Sequence, residues 1–153
     1  MSIDFSSRLT PVDPNYPSCS ECFSEFVLYT DDIDPHIVKV AMPVAESEVL
    51  VKGGKIKNSI GRERVIKNSI YFLSSDSRVA SKDLRDHLDW VIERIFPFRE
   101  RLLDFQRSGM RMGINCVWWS KGMGGPTLWP EQMEKFSAMN LECSFSFYMD
   151  EDM

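Results

Sequence analysis

The side chains that most often carry metal, redox or acid–base chemistry are few in this sequence: four cysteines and two histidines. Cys19 and Cys22 have the C-x-x-C spacing of a zinc or thiol–disulfide site. A zinc site needs four ligands, however, and Cys116 and Cys143 each stand alone in a strand-like segment. A thioredoxin-like motif would open a helix after a strand, whereas this one precedes the first predicted strand. We therefore expect free thiols and no metal, with the two later cysteines acting as small buried apolar side chains.

The two histidines do not complete a catalytic set. His87 lies four residues after Asp83 on a predicted helix, so these two side chains could touch. No nucleophile or further ligand converges on them by its spacing. The sequence also contains no Gly-x-Ser-x-Gly and no His-Glu-x-x-His pattern. The sequence therefore identifies no catalytic residue and no cofactor, and it disfavours an enzyme without excluding one.

Residues 116–130 have the composition of a binding site, because three of the four tryptophans surround a glycine-rich loop there. The loop matches neither the P-loop nor the dinucleotide-binding fingerprint, so its glycines are expected to serve a strand-to-helix turn. Neighbours in a strand point to opposite faces, which predicts Trp118 in the core and Trp119 on the other face. Trp119 would then lie close to Tyr148 if their strands pair. A contact site and simple edge packing fit this pattern equally well. The candidate binding residues are Trp119, Lys121, Trp129, Glu142 and Tyr148.

Length and composition are those of one soluble domain. The 153 residues are 43% hydrophobic and 27% charged. We expect residues 1–21, which contain three prolines, to form a flexible arm and residues 22–153 a single α+β domain. No apolar run approaches the roughly 20 residues of a membrane span, and the first residues lack the features of a signal peptide, which predicts a cytoplasmic protein. The net charge of −5 disfavours nucleic acid, although residues 52–67 are a basic segment.

Hydrophobic periodicity predicts the elements that must position these residues. Strands are expected at 23–30, 49–51 and 66–73, with a loop between the last two, and a short helix is expected from Pro35 to residue 41. A helix with Ser81 as its N-cap should carry His87, and a second follows Pro97. The helix that begins at Pro130 should turn Met133, Phe136 and Met139 to the core.

The two C-terminal strands alternate most clearly, and each should have one buried and one mostly wet face. The order β-α-β-β-α-α-β-α-β predicts a two-layer α+β sandwich. Its core would be a ferredoxin-like split βαβ unit with an additional C-terminal αβ unit, and its helices would cover one face of an antiparallel or mixed sheet. The expected buried positions are Met110, Met112, Ile114, Cys116 and Trp118 in one strand and Leu141, Cys143, Phe145, Phe147 and Met149 in the other.

The run WWSKGMGGPTLWPEQMEKFSAMNLECSFSFY, with its Gly-Pro-x-Leu-x-Pro-Glu turn, resembles a bacterial family known as domain of unknown function 4279. The likeness covers about residues 22–149 and includes the strand near Phe26, the Asp34-Pro35 helix start and the helix that carries His87. The relatives often have tryptophan where this chain has Tyr71 or Phe72. The resemblance implies a compact bacterial cytosolic domain, and it carries over no activity, cofactor or catalytic residue.

Two functions from different classes fit the sequence. The first is a non-catalytic protein-binding module, most concretely an immunity or antitoxin-like protein whose acidic surface covers the basic cleft of a toxin. Its contacts would lie on the wet face that holds Trp119, Glu142 and Tyr148. The alternative is a small-molecule binder or enzyme with a pocket under the glycine loop, lined by Trp119, Trp129 and Tyr148. A homodimer is a third possibility, which an exposed sheet edge would favour.

Overall fold

A five-stranded sheet with helices on one face forms the centre of the computed structural model, which describes residues 7–150. A separate two-stranded hairpin is inserted between its second and third strands. The strands are β1 (Cys19–Tyr29), β2 (Glu48–Leu50), β3 (Lys55–Lys57), β4 (Glu63–Val65), β5 (Ile70–Ser74), β6 (Arg111–Ser120) and β7 (Glu142–Met149), and the helices are α1 (His36–Ala41), α2 (Leu84–Ile95), α3 (Arg99–Arg107) and α4 (Pro130–Ala138).

The strand order of the main sheet is β2-β5-β1-β6-β7. β5 pairs antiparallel with both β1 and β2, and β1 pairs antiparallel with β6. β1 and β2 are therefore parallel with β5 between them, which is the split βαβ arrangement. α4 then crosses to β7, which pairs parallel with β6 at the edge of the sheet. The predicted α+β fold is confirmed, including the ferredoxin-like core and the added αβ unit.

The core lies between the sheet and the helices, and α2 supplies one wall of it. Asp83 caps α2 by accepting a hydrogen bond from the Arg85 N–H, so the helix begins two residues later than the predicted Ser81 cap implies. A short 3-10 turn, Phe96–Phe98, contains Pro97 and separates α2 from α3. Fully buried side chains from the sheet include Phe26, Tyr71, Ile114 and Trp118, and those from α2 include Leu84, Leu88, Val91 and Ile95.

The prediction of a buried face on β7 is wrong for most of the strand. Phe145 is 37% exposed, Phe147 59% and Met149 62%, although all three point to the helix side of the sheet. β7 is an edge strand, and α4 packs mainly against α2 and leaves the outer row of β7 uncovered. Met133 of α4 was also predicted to face the core, but it is 51% exposed. A row of apolar side chains therefore lies on the surface beside this edge.

The basic segment folds differently from the prediction. Residues 53–61 were expected to be a loop before a strand at 66–73, but β3 and β4 pair as a hairpin and β5 begins only at Ile70. Gly53 and Gly61 have positive φ values of 89° and 81°, which glycine adopts without a steric penalty and which turn the chain before and within the hairpin. None of the helices in residues 7–150 is both long and apolar enough to cross a membrane.

Candidate functional site

The face of the sheet opposite the helices, here called the open face, carries three of the five candidate residues: Trp119, Glu142 and Tyr148. Strand register places one set of alternating side chains from all five strands on it. α1 does not cover this face, since the buried Tyr71 hydroxyl, on the helix side, donates to the Met42 carbonyl beside α1. The open-face positions are Glu21, Phe23, Glu25, Val27 and Tyr29 of β1, Glu48 and Leu50 of β2, Ile70, Phe72 and Ser74 of β5, Arg111, Gly113, Asn115, Val117 and Trp119 of β6, and Glu142, Ser144, Ser146 and Tyr148 of β7.

Trp119 and Tyr148 form a stacked pair on the open face. The two residues are opposite each other in the β6–β7 register. Their ring centroids are 4.6 Å apart with an angle of 22° between the planes, which is a favourable offset geometry for cross-strand aromatic residues. The Tyr148 side chain is 47% exposed. The structure therefore confirms the predicted positions of Trp118 in the core, Trp119 on the other face, and Tyr148 beside it.

Polar side chains cross the open face in a row below this pair. The Asn115 amide donates to the Glu25 carboxylate at 3.4 Å, and the Ser146 hydroxyl donates to the Asn115 carbonyl oxygen at 3.3 Å. One strand position further, Glu142 lies over Gly113, where an added Cβ would be 3.1 Å from the Glu142 Cγ. Glu25, Asn115, Gly113 and Glu142 line a concavity of about 1040 Å³ that extends around the N-terminal ends of β6 and β7. Because Gly113 has no side chain, Glu142 can lie directly over it at the bottom of the concavity.

The charge on the open face is unequal. Its strand positions carry four glutamates, at 21, 25, 48 and 142, and one arginine, Arg111. Arg111 contacts Asp31 at 3.4 Å and lies over the Tyr29 ring. The basic hairpin borders the β2–β5 side of the face, since Arg64 and Lys67 line a shallow pocket together with the open-face residues Tyr29, Leu50 and Ile70. The surface is therefore acidic across β1, β6 and β7 and basic along one border.

Trp129, another predicted binding residue, lies in the helix layer and not on the open face. It precedes α4, and its ring stacks under the guanidinium of Arg85 at 5.0 Å. Arg85 forms a fully buried ion pair with Asp83 and also donates to the main-chain carbonyls of Thr10 and Pro11. Burial alone would raise the pKa of Asp83, but hydrogen bonds from Arg85 and from the Asp13 N–H outweigh it and lower that pKa. This cluster fastens residues 10–13 to α2.

The glycine loop after β6 is packed against the N-terminal arm. The Tyr16 hydroxyl donates to the Gly125 carbonyl at 2.8 Å, and the Lys121 N–H donates to the Ser18 carbonyl. Gly124 has a φ of 116°, and a Cβ there would be 3.1 Å from Ser18. The Lys121 side chain is exposed beside this loop. A pocket lined jointly by Trp119, Trp129 and Tyr148 is not formed, because the loop leads Trp129 to the opposite side of the sheet.

Glu142 and Tyr148 share the open face but stand six residues apart on β7, which is about 20 Å along a strand. The predicted binding set is therefore divided into four places: the aromatic pair, the concavity beside Glu142, the helix-layer site of Trp129, and the glycine loop beside Lys121. Phe23, Tyr29 and Phe72 were not predicted as site residues, although they lie on the open face as well. Their signal was present, since they alternate with buried neighbours in β1 and β5.

His87 is buried, and its hydrogen-bond partners are not Asp83, which its spacing would have allowed it to touch. Its Nδ1 lies 2.7 Å from the Ser75 hydroxyl, and its Nε2 lies 2.6 Å from the Ser81 carbonyl. Because a carbonyl can only accept, Nε2 carries the proton and the Ser75 hydroxyl donates to Nδ1. Burial lowers the pKa of His87. The histidine therefore joins β5 to the start of α2 as a neutral side chain.

The four cysteines form no disulfide in the structure. Cys19, Cys22 and Cys116 are buried, and Cys143 is partly buried. The Cys116 and Cys143 sulfurs lie 3.7 Å apart between β6 and β7. Among residues 7–150, no group of three or more histidine, cysteine or acidic side chains is arranged to hold a metal ion.

Comparison with known proteins gives one match. A family model described as "Domain of unknown function (DUF4279)" matches residues 20–150. No curated protein and no solved structure matches the chain. The matched range begins at the start of β1 and ends just after β7, so it includes every strand of the open face.

Proposed function

We propose that this chain, which belongs to the DUF4279 family of domains of unknown function, is a non-catalytic protein-binding module. Its most specific form is an immunity or antitoxin-like protein that neutralises a partner toxin by covering the toxin's active surface. The open face is the contact surface in this proposal.

The observation that carries the proposal is the stacked Trp119–Tyr148 pair on a sheet face that no helix of residues 7–150 covers. Trp and Tyr dominate the energetics of protein interfaces because they bury a large area and retain a polar atom for hydrogen bonding. The pair is already held in one geometry by its cross-strand stacking, so little side-chain entropy would be lost when a partner covers it. The apolar side chains of Phe23, Val27 and Phe72 continue this surface toward β5.

The charge pattern supports a partner of complementary charge. Four glutamates on the open face would lie opposite basic groups, as in the cleft of an enzyme that acts on nucleic acid. Rim charges of this kind speed association more than they add affinity, and their effect weakens as salt is added. The basic hairpin at the border would lie against an acidic part of the same partner. Association should therefore slow when the ionic strength rises.

The test is co-expression of the tagged chain with each product of its neighbouring genes, followed by purification of the complex and by growth measurement. A partner that arrests growth alone, and whose effect is relieved by this chain, would support the proposal. Trp119→Ala should weaken both the complex and the relief of growth arrest. Val40→Ala is the control, because Val40 is 81% exposed on α1, away from the open face. Failure of every neighbouring product to form a stable complex would refute it.

A further inference from the structure

The outer edge of β7 is a second surface, and Tyr148 is the residue that it shares with the contact surface of the proposed function. β7 is the last strand of the sheet, with no strand on its other side among residues 7–150. The Asp150 N–H donates to the Ser120 carbonyl. Since successive main-chain groups of a strand alternate in direction, the N–H and C=O groups of Cys143, Phe145, Phe147 and Met149 point away from β6. A row of hydrogen-bonding groups is thus free to pair with another strand.

Between its charged ends, Glu142 and Asp150, this edge lacks the features that usually prevent such pairing. Residues 143–149 contain no charged side chain and no proline, and β7 is eight residues long. Natural proteins protect exposed edges with charges, prolines or bulges, or by keeping the edge strand short. The β6–β7 pairing runs from Gly113 to Ser120 without a bulge. An unprotected edge of this length is therefore suited to pair with another strand.

Exposed apolar side chains line both faces of the same edge. Lys135 contacts Phe96 on one side of α4, so the spacing of about 100° per residue turns Met133 to the other side of the helix, toward β7. Five side chains are between 37% and 62% exposed there: Met133, Phe145, Phe147, Tyr148 and Met149. A fully exposed side chain of this size presents about 200 Å², so together they offer roughly 500 Å². A stable interface buries about 800 Å² on each partner. The main chains of the two paired strands would also be buried, in addition to this apolar side-chain area.

We propose that β7 pairs antiparallel with β7 of a second copy of this chain, which joins the two sheets into one of ten strands. Hydrogen bonding between the two edges requires that each residue with outward-pointing main-chain groups faces another such residue. Facing residue numbers then differ by an even number, so the two-fold axis passes beside a single residue. Two registers give nearly complete overlap, with the axis at Phe145 or at Ser146. The Ser146 register would place Glu142 opposite Asp150 twice, and like charges directly opposite destabilise a sheet.

The Phe145 register avoids this repulsion. It places Glu142 opposite Tyr148 of the second copy and Phe147 opposite Cys143. The two Phe145 side chains then meet at the axis, between the two α4 helices, where the stacked Phe145–Phe147 rings of each copy supply the contact. The second copy would thereby cover the exposed helix-side residues of β7, Phe145, Phe147 and Met149, which α4 of their own chain leaves uncovered. Both Trp119–Tyr148 pairs would remain on one continuous open face.

The first experiment is sedimentation velocity of the full chain from about 1 to about 100 μM, where a dimer of micromolar affinity would form progressively. The wild type should become dimeric. Phe147→Glu should raise the dissociation constant at least about 100-fold, because two symmetry-related rings are lost and two charges enter an apolar contact. Val40→Glu, at an apolar position on α1 that is also exposed, should change it by less than about twofold.

A wild type that stays monomeric over this range would overturn the proposal, as would a dimer unchanged by Phe147→Glu. Far-UV circular dichroism establishes that the variants are folded, and Met149→Lys, at the exposed end of β7, replaces Phe147→Glu if the latter does not fold. The register is tested by oxidative cross-linking in a background that carries both Cys116→Ser and Cys143→Ser, because Cys116 lies opposite position 145 in the same chain. Phe145→Cys should give a disulfide-linked dimer and Ser146→Cys should not; the opposite result would overturn the Phe145 register.

Discussion

The buried Arg85–Asp83 pair gives the sharpest stability prediction. Both side chains have no exposed surface, and the Arg85 guanidinium donates to both Asp83 oxygens and to the carbonyls of Thr10 and Pro11. Arg85→Met replaces the guanidinium side chain with an apolar one of similar length and leaves the Asp83 carboxylate buried without its cation. Removing one partner of a buried pair costs about 3–5 kcal/mol. In a chain of this length, each kcal/mol lowers the melting temperature by about 2–4 °C.

Urea unfolding followed by tryptophan fluorescence measures this change directly. Arg107→Met is the matched control, because the Arg107–Asp104 pair is about 70% exposed and should contribute less than about 1 kcal/mol. The double variant Asp83→Asn, Arg85→Met should recover at least about 1 kcal/mol relative to Arg85→Met, since asparagine still caps α2 and carries no charge. An Arg85→Met protein within about 1 kcal/mol of the wild type would refute the reasoning.

Two further predictions concern His87 and the glycine loop. Because burial lowers the pKa of His87, the unfolded chain takes up a proton below about pH 6.5 while the folded chain does not. As the pH is lowered from about 7 toward the folded pKa, the free energy of unfolding should therefore fall by at most about 1.4 kcal/mol per pH unit. This pH dependence should be smaller in His87→Gln. An equal pH dependence in both proteins would contradict the assignment of a buried, neutral His87. Gly124→Ala should lower the free energy of unfolding by about 1–3 kcal/mol, because φ is 116° and Ser18 is 3.1 Å from the added Cβ. Gly125→Ala, where an added Cβ would meet open space, should change the free energy of unfolding by less than about 0.5 kcal/mol. If urea unfolding gave the same loss for Gly124→Ala and Gly125→Ala, the reasoning from φ and from the Ser18 contact would be wrong.

The alternation of apolar residues predicted the sheet well because it reports the direction of each side chain. The inward direction of Ile114, Cys116 and Trp118 and the outward direction of Trp119 both follow from a period of two. Alternation does not report whether a helix lies above an inward side chain. Phe147 points inward and is nevertheless 59% exposed, since β7 took the edge position. Strand order depends on pairings between distant segments, which a local pattern does not contain.

The candidate site was predicted in part for the same reason. The Trp119–Tyr148 contact follows from alternation together with the assumption that β6 and β7 pair, and the structure confirms that pairing. Trp129 is near Trp119 in sequence, but the glycine loop leads it to the helix layer, where its ring packs against the Arg85 guanidinium. The role of Arg85 depends on carbonyls 74 and 75 residues away. No local sequence signal connects such distant groups.

The most direct test of the binding proposal is the affinity of the purified partner for variants of the open face, measured by isothermal titration calorimetry. Trp119→Ala and Tyr148→Ala should each raise the dissociation constant by at least about 30-fold, which corresponds to an interface hot spot of about 2 kcal/mol. Val40→Ala, on α1, should leave it within about twofold of the wild type. Wild-type affinity in both open-face variants would contradict the account, because the partner would then bind elsewhere on the molecule.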